Sequence, residues 1–163
     1  MNIRLCEMTK ELSRQYHKYF ELDPALFMDM SKFQPYIYSE EDSDAIVERY
    51  KQLGRVYLAI MLENEPIGEV IIKNIDWDKR HCAFGISMRS DEYKNKGYGT
   101  KAELLMLEYA FSELGMETVF ADAILKNVRS QHVLKKVGFI ETHNDDIFYY
   151  YRCDKDNWNR LKQ

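Results

Sequence analysis

The residues with the clearest chemical potential form a glycine-rich segment, 93–102, in which lysines flank Gly97 and Gly99. From Ala102 onward, apolar residues recur at spacings of three and four, which predicts an amphipathic helix ended by Gly115. A glycine-rich turn entering a helix exposes backbone N–H groups at the positive end of the helix dipole, and glycine lets a ligand approach them. The segment therefore predicts a phosphate-binding site. The predicted apolar helix face comprises Ala102, Leu105, Met106, Tyr109, Ala110 and Leu114.

The spacing of the glycines narrows the type of phosphate ligand. A P-loop requires G-x-x-x-x-G-K-[ST], whereas here a threonine separates the second glycine from the lysine. Gly97, Gly99 and Ala102 match the dinucleotide fingerprint G-x-G-x-x-G/A, with Asp122 near its acidic position. However, the polar run 90–96 separates the glycines from the preceding apolar strand, and only about forty residues follow Asp122. An NAD-type dinucleotide site remains an alternative.

Two ordered motifs resemble those of the GNAT superfamily of N-acetyltransferases. Lys94-x-x-Gly97-x-Gly99 resembles its acetyl-coenzyme A loop, [RQ]-x-x-G-x-[GA], which binds the pyrophosphate. The second signature, N-x-x-[SA]-x-x-[LV]-x-x-K-x-G-F, is matched by Asn127, Ser130, Val133, Lys136, Gly138 and Phe139. The resemblance covers about residues 67–153. Within the superfamily, the sequence is similar to the ribosomal-protein N-terminal and polyamine acetyltransferases.

The resemblance implies an α/β (mixed α+β) class and the acyl-CoA N-acyltransferase fold. This fold has a mixed, mostly antiparallel sheet with a central splayed parallel pair and helices on both faces; here it would occupy residues 1–163 as a single domain. The splayed strands would be 81–88 and 118–125, with the pantetheine arm of acetyl-CoA in the gap as a pseudo-strand. The implied contacts of acetyl-CoA are Met88, Lys94, Asn95, Lys96, Gly97, Tyr98, Gly99, Thr100, Asn127 and Ser130.

Acetyl transfer to an amine needs a neutral amine, so a general base or a water chain must remove a proton. In the resembled family a Glu is common on the strand before the phosphate loop, but this chain has Ala83 there. The remaining candidates are Glu69, His81 and Asp122, each of which also has a structural interpretation; for Glu69 that is a solvated strand residue.

The departing thiolate can take a proton from a general acid. Many members of the resembled family use a Tyr directly before an E-K-x-G-F segment, two residues ahead of the signature lysine, and Leu134 occupies that position here. Residues 149–151, three consecutive tyrosines on the closing hairpin, are the candidates to replace it, although strand aromatics usually pack. Asn127 is expected to cap its helix and, by resemblance, to hydrogen-bond near the pantetheine or leaving group.

Periodicity, caps and breakers predict the remaining elements. The predicted helices run from a cap at Thr9 to about Tyr19, from Asp23 to near Met30, from Glu41 or Ser43 to Gly54, from Ala102 to Gly115, and over 128–137 between Asn127 and Gly138. The predicted strands are 3–5, 55–62, 67–75, 81–88, 118–125, 139–142 and 148–153, with a hairpin turn at 63–66.

Composition limits the class of protein. The 163 residues are 45% hydrophobic and 31% charged, which is typical of a globular domain. No apolar run approaches the roughly 18 residues of a membrane span, and the N-terminus lacks a signal-peptide core. Three distant cysteines predict reduced thiols, and the four histidines show no metal-ligand spacing with them. We expect a cytoplasmic protein without a metal or a membrane partner.

Charge distribution adds a second limit. The net charge of 23 − 27 = −4 disfavours nucleic acid as a partner. Eight acidic residues and one basic residue lie in 20–48, whereas 126–136 holds four basic residues and no acidic one. A basic end for an anionic co-substrate and an acidic end for a cationic acceptor would suit electrostatic steering; the alternative is a set of solvated faces.

We therefore expect an N-acetyltransferase that moves the acetyl group of acetyl-CoA to a primary amine by direct attack in a ternary complex. The acceptor would be a peptide N-terminus, a polyamine or another small amine, and the enzyme a monomer or homodimer. Two alternatives remain open. One is an acyl-CoA-binding module with little catalysis, suggested by Ala83 and Leu134; the other is the dinucleotide-binding protein.

Overall fold

The computed structural model describes residues 2–27 and 29–163, and a seven-stranded sheet organises them. The strands lie in the order β1-β2-β3-β4-β5-β7-β6. Their bounds are β1 Ile3–Glu7, β2 Val56–Leu62, β3 Glu65–Asp76, β4 His81–Met88, β5 Thr118–Ile124, β6 Ile140–Asn144 and β7 Phe148–Asp154. All neighbours pair antiparallel except β4 and β5, which are parallel. The mixed, mostly antiparallel sheet is confirmed.

Helices cover both faces of this sheet, as predicted. Their bounds are α1 Lys10–Lys18, α2 Glu40–Gln52, α3 Tyr98–Glu108, α4 Val128–Val137 and α5 Lys155–Leu161. Side chains of a strand alternate between faces. On β2, Leu58 and Ile60 join a core with α3 and α4, whereas Tyr57 and Ala59 join a second core with α1 and α2. The sheet therefore separates two apolar layers.

The parallel strands β4 and β5 separate partway along their length. Within the described residues their register covers His81 with Thr118, Cys82 with Val119, and Ala83 with Phe120. Beyond Ala83, β4 stays paired with β3 as far as Met88, and β5 stays paired with β7. One edge of each strand is thus left without its neighbour, and a gap opens in the middle of the sheet.

The helix that follows the glycine-rich loop buries only part of the predicted face. Ala102, Met106 and Ala110 are buried as predicted, whereas Leu105, Tyr109 and Leu114 are only partly buried. The buried surface extends instead to Glu103, Leu107 and Phe111. Apolar residues occur on nearly every side of this segment, so periodicity could not choose the face. The helix continues past its α-helical part as a π-helical stretch, Tyr109–Glu113.

Several element boundaries also differ from prediction. Ser39 caps α2, because its hydroxyl accepts a hydrogen bond from the Asp42 N–H group, so neither Glu41 nor Ser43 begins this helix. The segment after Asp23 forms two 3₁₀ turns, Pro24–Leu26 and Met30–Lys32, instead of one helical turn. The predicted hairpin turn is shorter, since Glu65 already belongs to β3. Helix α5 was not predicted. The Thr9 cap of α1 and the Asn127 and Gly138 boundaries of α4 are confirmed.

No helix among the described residues is long and apolar enough to cross a membrane.

Gly68 of β3 fixes how closely β3 packs against its neighbours. A Cβ atom there would lie 2.8 Å from Ile60 Cδ1 and 2.8 Å from the Ser87 carbonyl oxygen. We expect Gly68→Ala to lower the free energy of unfolding by about 1–3 kcal/mol in urea denaturation, because the Ser87 backbone cannot move aside cheaply.

Gly85 of β4 provides the matched control. Among the described residues nothing lies within 4 Å of the position that a Cβ atom would take there. Gly85→Ala should leave stability unchanged or raise it slightly, since it restricts the unfolded chain without a clash. Equal losses of stability in the two variants would contradict this account of Gly68.

Candidate active site

The glycine-rich loop delivers an uncapped helix N-terminus. Gly97 is the N-cap of α3 with φ of 82°, and Asn95 has φ of 59°, so both occupy the left-handed region. The first backbone hydrogen bond of the helix runs from the Lys101 N–H group to the Gly97 carbonyl. No side chain among the described residues caps the N-terminus of α3. The N–H groups of the first turn are therefore available to an anion.

A cavity of about 420 Å³ opens in front of this helix terminus; we call it the loop cavity. Gly99 lines it, and apart from its chain neighbours and the adjacent helix backbone no described atom lies within 4 Å of a Cβ built on that residue. Glycine is thus not required there by the protein's own packing, and the free space suits a ligand that approaches the backbone. Three cationic side chains, those of Lys94, Lys126 and Arg129, also line the loop cavity.

A second cavity of about 290 Å³ occupies the gap between β4 and β5; we call it the splay cavity. Its walls include Gly85 and Asp122 from the separated strands and Leu134 from α4. The two cavities share the lining residues Leu26, Ile86, Glu103, Asn127 and Ser130. They therefore adjoin, and together they lead from the helix terminus into the sheet.

The residues predicted to contact acetyl-CoA divide into two groups. Those that line the loop cavity are Met88, Lys94, Gly99, Asn127 and Ser130. Those that lie in the loop or first helical turn without lining either cavity are Asn95, Lys96, Gly97, Tyr98 and Thr100. The side-chain oxygen of Asn127 accepts a hydrogen bond from the Ser130 N–H group at 3.1 Å, so Asn127 caps α4 at the cavity wall.

The lysine of the loop is held by two carboxylates. Lys94 Nζ lies 3.1 Å from Asp23 and 2.9 Å from Asp91, and its side chain is only 13% exposed. Burial pushes the pKa of Asp23 upward, but hydrogen bonds from the Ala25 N–H group and Lys94 outweigh it, and the pKa is lowered overall. Nearby, Lys126 Nζ donates to the Phe27 carbonyl oxygen. Both lysines thus tie the segment after α1 to the cavity.

The acidic residues of 20–48 are partly neutralised within the protein. Arg14 forms ion pairs with Glu40 and Asp44, and Lys10 pairs with Glu48. This pairing favours the interpretation of that surface as a solvated, structural one over electrostatic steering.

Glu69 lies on the α1/α2 side of β3, opposite Ser87 in the register with β4. It is partly buried rather than solvated, and the Tyr57 hydroxyl donates to its carboxylate at 2.5 Å. Burial raises the pKa of Glu69, and the hydrogen bond from Tyr57 opposes that rise. Burial and the charge of Glu69 together raise the pKa values of Tyr16, Tyr50 and Tyr57, so these hydroxyls remain protonated donors.

The other two base candidates lie in different places. Asp122 is exposed, alternates with buried Ala121 and Ala123, and lines the splay cavity. His81 begins β4, seven residues or roughly 23 Å from Met88 at 3.3 Å per residue. Its ring packs edge-on against Phe120 at 5.4 Å. The structure therefore brings Asp122, but not His81, to the gap.

The three consecutive tyrosines do not reach the cavities. Tyr151 is buried in the core, Tyr149 packs against that core, and the Tyr150 hydroxyl donates to Asp145. None of them lines either cavity within the described part of the chain. The structure therefore does not bring the three tyrosines to the cavity beside Leu134, because core packing holds Tyr149 and Tyr151 and the hydrogen bond to Asp145 holds Tyr150.

Comparison with known proteins shows which family has this arrangement. A family profile described as Acetyltransferase (GNAT) domain matches residues 3–140. The chain belongs to the GNAT acetyltransferase family.

Individual relatives are more distant. An uncharacterized N-acetyltransferase, YnaD of Bacillus subtilis (strain 168), is 25% identical over 138 residues, which cover 76% of this chain and 78% of that protein. Spermidine N(1)-acetyltransferase of Escherichia coli (strain K12) is 26% identical over 106 residues, covering 65% of this chain but only 56% of that protein. The solved structure of aminoglycoside acetyltransferase AAC(6')-Ib in complex with coenzyme A superposes with a TM-score of 0.76 at 16% identity, covering 99% and 100% of the two chains.

The GNAT fold of this chain holds one site residue that the sequence patterns did not single out. Glu103 of α3 lines both cavities, is 2% exposed, and its Oε2 atom has no hydrogen-bond partner among the described residues. Burial raises the pKa of Glu103 to about 8. A signal was available, because Glu103 precedes the buried Met106 and Leu107 by three and four residues, the spacing of one helix face.

Among residues 2–27 and 29–163, no three metal-ligating side chains cluster. The cysteines are unpaired, and burial raises the pKa of the Cys82 thiol to about 12, which makes it a poor nucleophile at neutral pH.

Glu103 should make the protein less stable as pH rises. Between about 4.5 and about 8 the folded state keeps the Glu103 proton that the unfolded chain has lost. The free energy of unfolding then falls by about 1.4 kcal/mol per pH unit. Replacing the acid by its neutral isostere removes this term, so Glu103→Gln should gain several kcal/mol relative to the wild type between pH 5 and pH 8.

Urea denaturation of the ligand-free protein at several pH values measures this gain. Glu113→Gln, an exposed carboxyl near the end of the same helical segment, is the matched control and should follow the wild type. Parallel pH dependences for wild type and Glu103→Gln would show that Glu103 is not a buried acid.

Proposed function

We propose that residues 1–163 form one catalytic domain, an acetyl-CoA-dependent N-acetyltransferase that acetylates a primary amine by direct attack. The observation that carries this proposal is the continuity of the two cavities. One begins at an uncapped helix N-terminus lined by cations, and the other lies between separated parallel strands. A long ligand with phosphates at one end and an extended amide-bearing arm at the other fits this path.

The free cysteine thiols of the protein favour a reducing compartment, and we place the enzyme in the cytoplasm.

Each section of the path offers groups of matching chemistry. The first-turn N–H groups of α3 would bind the pyrophosphate, with Lys126 and Arg129 supplying positive charge. Among the described residues, the β4 edge between Gly85 and Met88 has no partner on the β5 side, so it can hydrogen-bond the amides of the pantetheine arm as a neighbouring strand would. The thioester would then lie in the gap near Asn127.

The gap would hold the thioester and the acceptor amine next to each other. Backbone N–H groups at the unpaired β4 edge can stabilise the negative charge that develops on the thioester oxygen. The acceptor amine would enter from the α1/α2 face, where Glu69 and Asp122 supply the two carboxylates able to take its proton. Holding both substrates in one gap provides much of the acceleration, since it removes the entropy cost of their encounter.

The acceptor is proposed only as a primary amine. The relative from Escherichia coli is named as an acetyltransferase of spermidine, which is a polyamine. From this relative we transfer to the present chain only that the acceptor is an amine. An amine suits the carboxylate of Glu69 and the neutral tyrosines around it.

Binding at the loop is tested by Gly99→Val. The larger side chain would enter the space in front of the helix terminus, where its Cβ atom meets no described atom outside its own helical turn within 4 Å. At about 100 times its dissociation constant, acetyl-CoA should stabilise the wild type by roughly 2.7 kcal/mol, a shift in Tm on the order of 5–10 °C. We expect Gly99→Val to keep its ligand-free Tm and to lose this shift in a thermal-unfolding assay.

Ser112→Val is the matched control, because it adds the same side chain to an exposed position in the same helical segment. It should retain the shift. NAD, which lacks the pantetheine arm, should stabilise the wild type little. A large shift with NAD and none with acetyl-CoA would favour the dinucleotide alternative, and a full acetyl-CoA shift in Gly99→Val would refute the loop assignment.

The general base is tested by comparing Glu69→Gln with Asp122→Asn. If Glu69 accepts the amine proton, kcat/KM rises with pH as its carboxyl ionises, and Glu69→Gln should remove that limb and lower turnover by about 10²–10⁴-fold. The amide can still accept the Tyr57 hydrogen bond, so the fold should persist.

Release of free CoA thiol, measured across pH with a panel of amines, provides the rate. Asp122→Asn should retain the Glu69 limb. Loss of the limb in Asp122→Asn instead would assign the base to Asp122. Acetyl-CoA binding without thiol release for any amine would favour a binding module.

A further inference from the structure

Glu103 occupies the junction of the two cavities. It is among the residues shared by the loop cavity and the splay cavity, together with Ile86, Asn127 and Ser130. Its side chain is 2% exposed, and in the part of the chain that the structure describes its Oε2 atom has no hydrogen-bond partner. An unpaired buried carboxyl is destabilising, so its presence at a cavity junction points to a ligand group that it meets.

Leu134, in the same cavity, indicates a role for Glu103. It lies on α4, which packs against α3, and it lines the splay cavity together with Glu103. Leu134 occupies the position where the GNAT signature often carries the tyrosine that serves the leaving thiolate. A leucine has no proton to give, and the Glu103 carboxyl lines the same space from the facing helix.

We propose that Glu103 is the general acid that protonates the departing sulfur of coenzyme A. The inference rests on the proposed acetyl transfer and adds a catalytic residue to it.

The step balances without any further reactant. The amine nitrogen attacks the thioester carbon, and the carbon–sulfur bond breaks as the tetrahedral intermediate collapses. The electron pair goes to sulfur, which takes the proton from the Glu103 carboxyl to give the free thiol. The proton lost by the acetylated nitrogen goes to the general base or to solvent, and solvent returns one proton to Glu103 before the next turnover.

The electrostatic surroundings of Glu103 suit an acid. Burial alone raises the pKa of Glu103, to about 8, so the carboxyl is mostly protonated at pH 7. Charged side chains line the cavities on both sides of it: Lys73 and Asp122 in the splay cavity, and Glu21, Asp23, Lys94, Lys126 and Arg129 in the loop cavity. Lys94 and Asp23 are paired with each other.

Kinetics of Glu103→Gln provide the first test. The amide keeps the shape of the side chain but has no transferable proton, so acetyl-CoA should bind with an unchanged Kd while turnover at pH 7 falls by about 10²-fold or more. The wild type should also lose activity as pH rises through about 8, where Glu103 ionises, and Glu103→Gln should lack this alkaline limb.

The expected rescue separates acid catalysis from a structural role. Adding Leu134→Tyr to Glu103→Gln supplies a phenol on the facing helix, and it should restore part of the lost turnover with the alkaline limb moved toward pH 10. Glu113→Gln, the exposed carboxyl in the same helical segment, should behave as wild type throughout. Wild-type turnover and an unchanged alkaline limb in Glu103→Gln would overturn the proposal.

A second measurement does not depend on the acceptor. Ultraviolet absorbance of the thiolate reports the thiol pKa of coenzyme A bound to the protein. An ionised Glu103 beside the sulfur opposes thiolate formation, so the bound thiol should have a higher pKa in the wild type than in Glu103→Gln. Equal thiol pKa values in the two proteins would show that Glu103 does not contact the sulfur.

The outcomes distinguish the two proposals. If no amine is acetylated but coenzyme A binds, the transferase proposal fails, and the thiol titration alone decides whether Glu103 lies beside the sulfur. If amines are acetylated and Glu103→Gln changes neither the turnover nor the thiol pKa, the Glu103 inference fails and the transferase proposal stands.

Discussion

The incomplete pairing of β4 and β5 is the constraint on which the site depends. Their parallel register ends at Ala83 and Phe120, while each strand continues beside its other neighbour. Unpaired backbone edges inside a protein are costly unless something pairs with them. The separation also lets the N-termini of α3 and α4 approach one opening, since both helices follow these strands. A gap in the sheet thereby becomes a site with backbone donors and acceptors on both walls.

Two carboxyls lie on opposite faces of the sheet, Glu69 partly buried on β3 and Glu103 buried on α3. Glu69 faces α1 and α2 and accepts a hydrogen bond from Tyr57, which favours its ionised form. Glu103 faces the interior from α3 without a partner for Oε2 among the described residues, which favours its neutral form. Burial raises the pKa of both groups, but their local partners differ, so their environments suit a base and an acid respectively.

The segment between α1 and α2 closes the outer side of the loop cavity. Asp23 pairs with Lys94, and the Phe27 carbonyl accepts a hydrogen bond from Lys126. Both lysines line the loop cavity, so its cations also hold this segment in place. Its two short 3₁₀ turns are capped by Asp23 and Asp29, whose carboxylates accept local backbone hydrogen bonds. Side-chain contacts rather than a regular helix therefore position the segment.

The sequence by itself determined the glycine turn into α3 and the Asn127 and Gly138 ends of α4, because glycines and caps act over a few residues. The fold class and the strand pair that separates followed from the resemblance of two ordered motifs to the GNAT superfamily. Only the tertiary structure decided the rest. In the structure, His81 and the three tyrosines lie away from the gap, and Glu69 accepts a hydrogen bond from Tyr57. The structure also shows that Glu103 is a buried acid. These outcomes depend on which face each helix buries and on contacts between residues distant in sequence. Local periodicity cannot choose among faces when, as in α3, nearly every side is apolar.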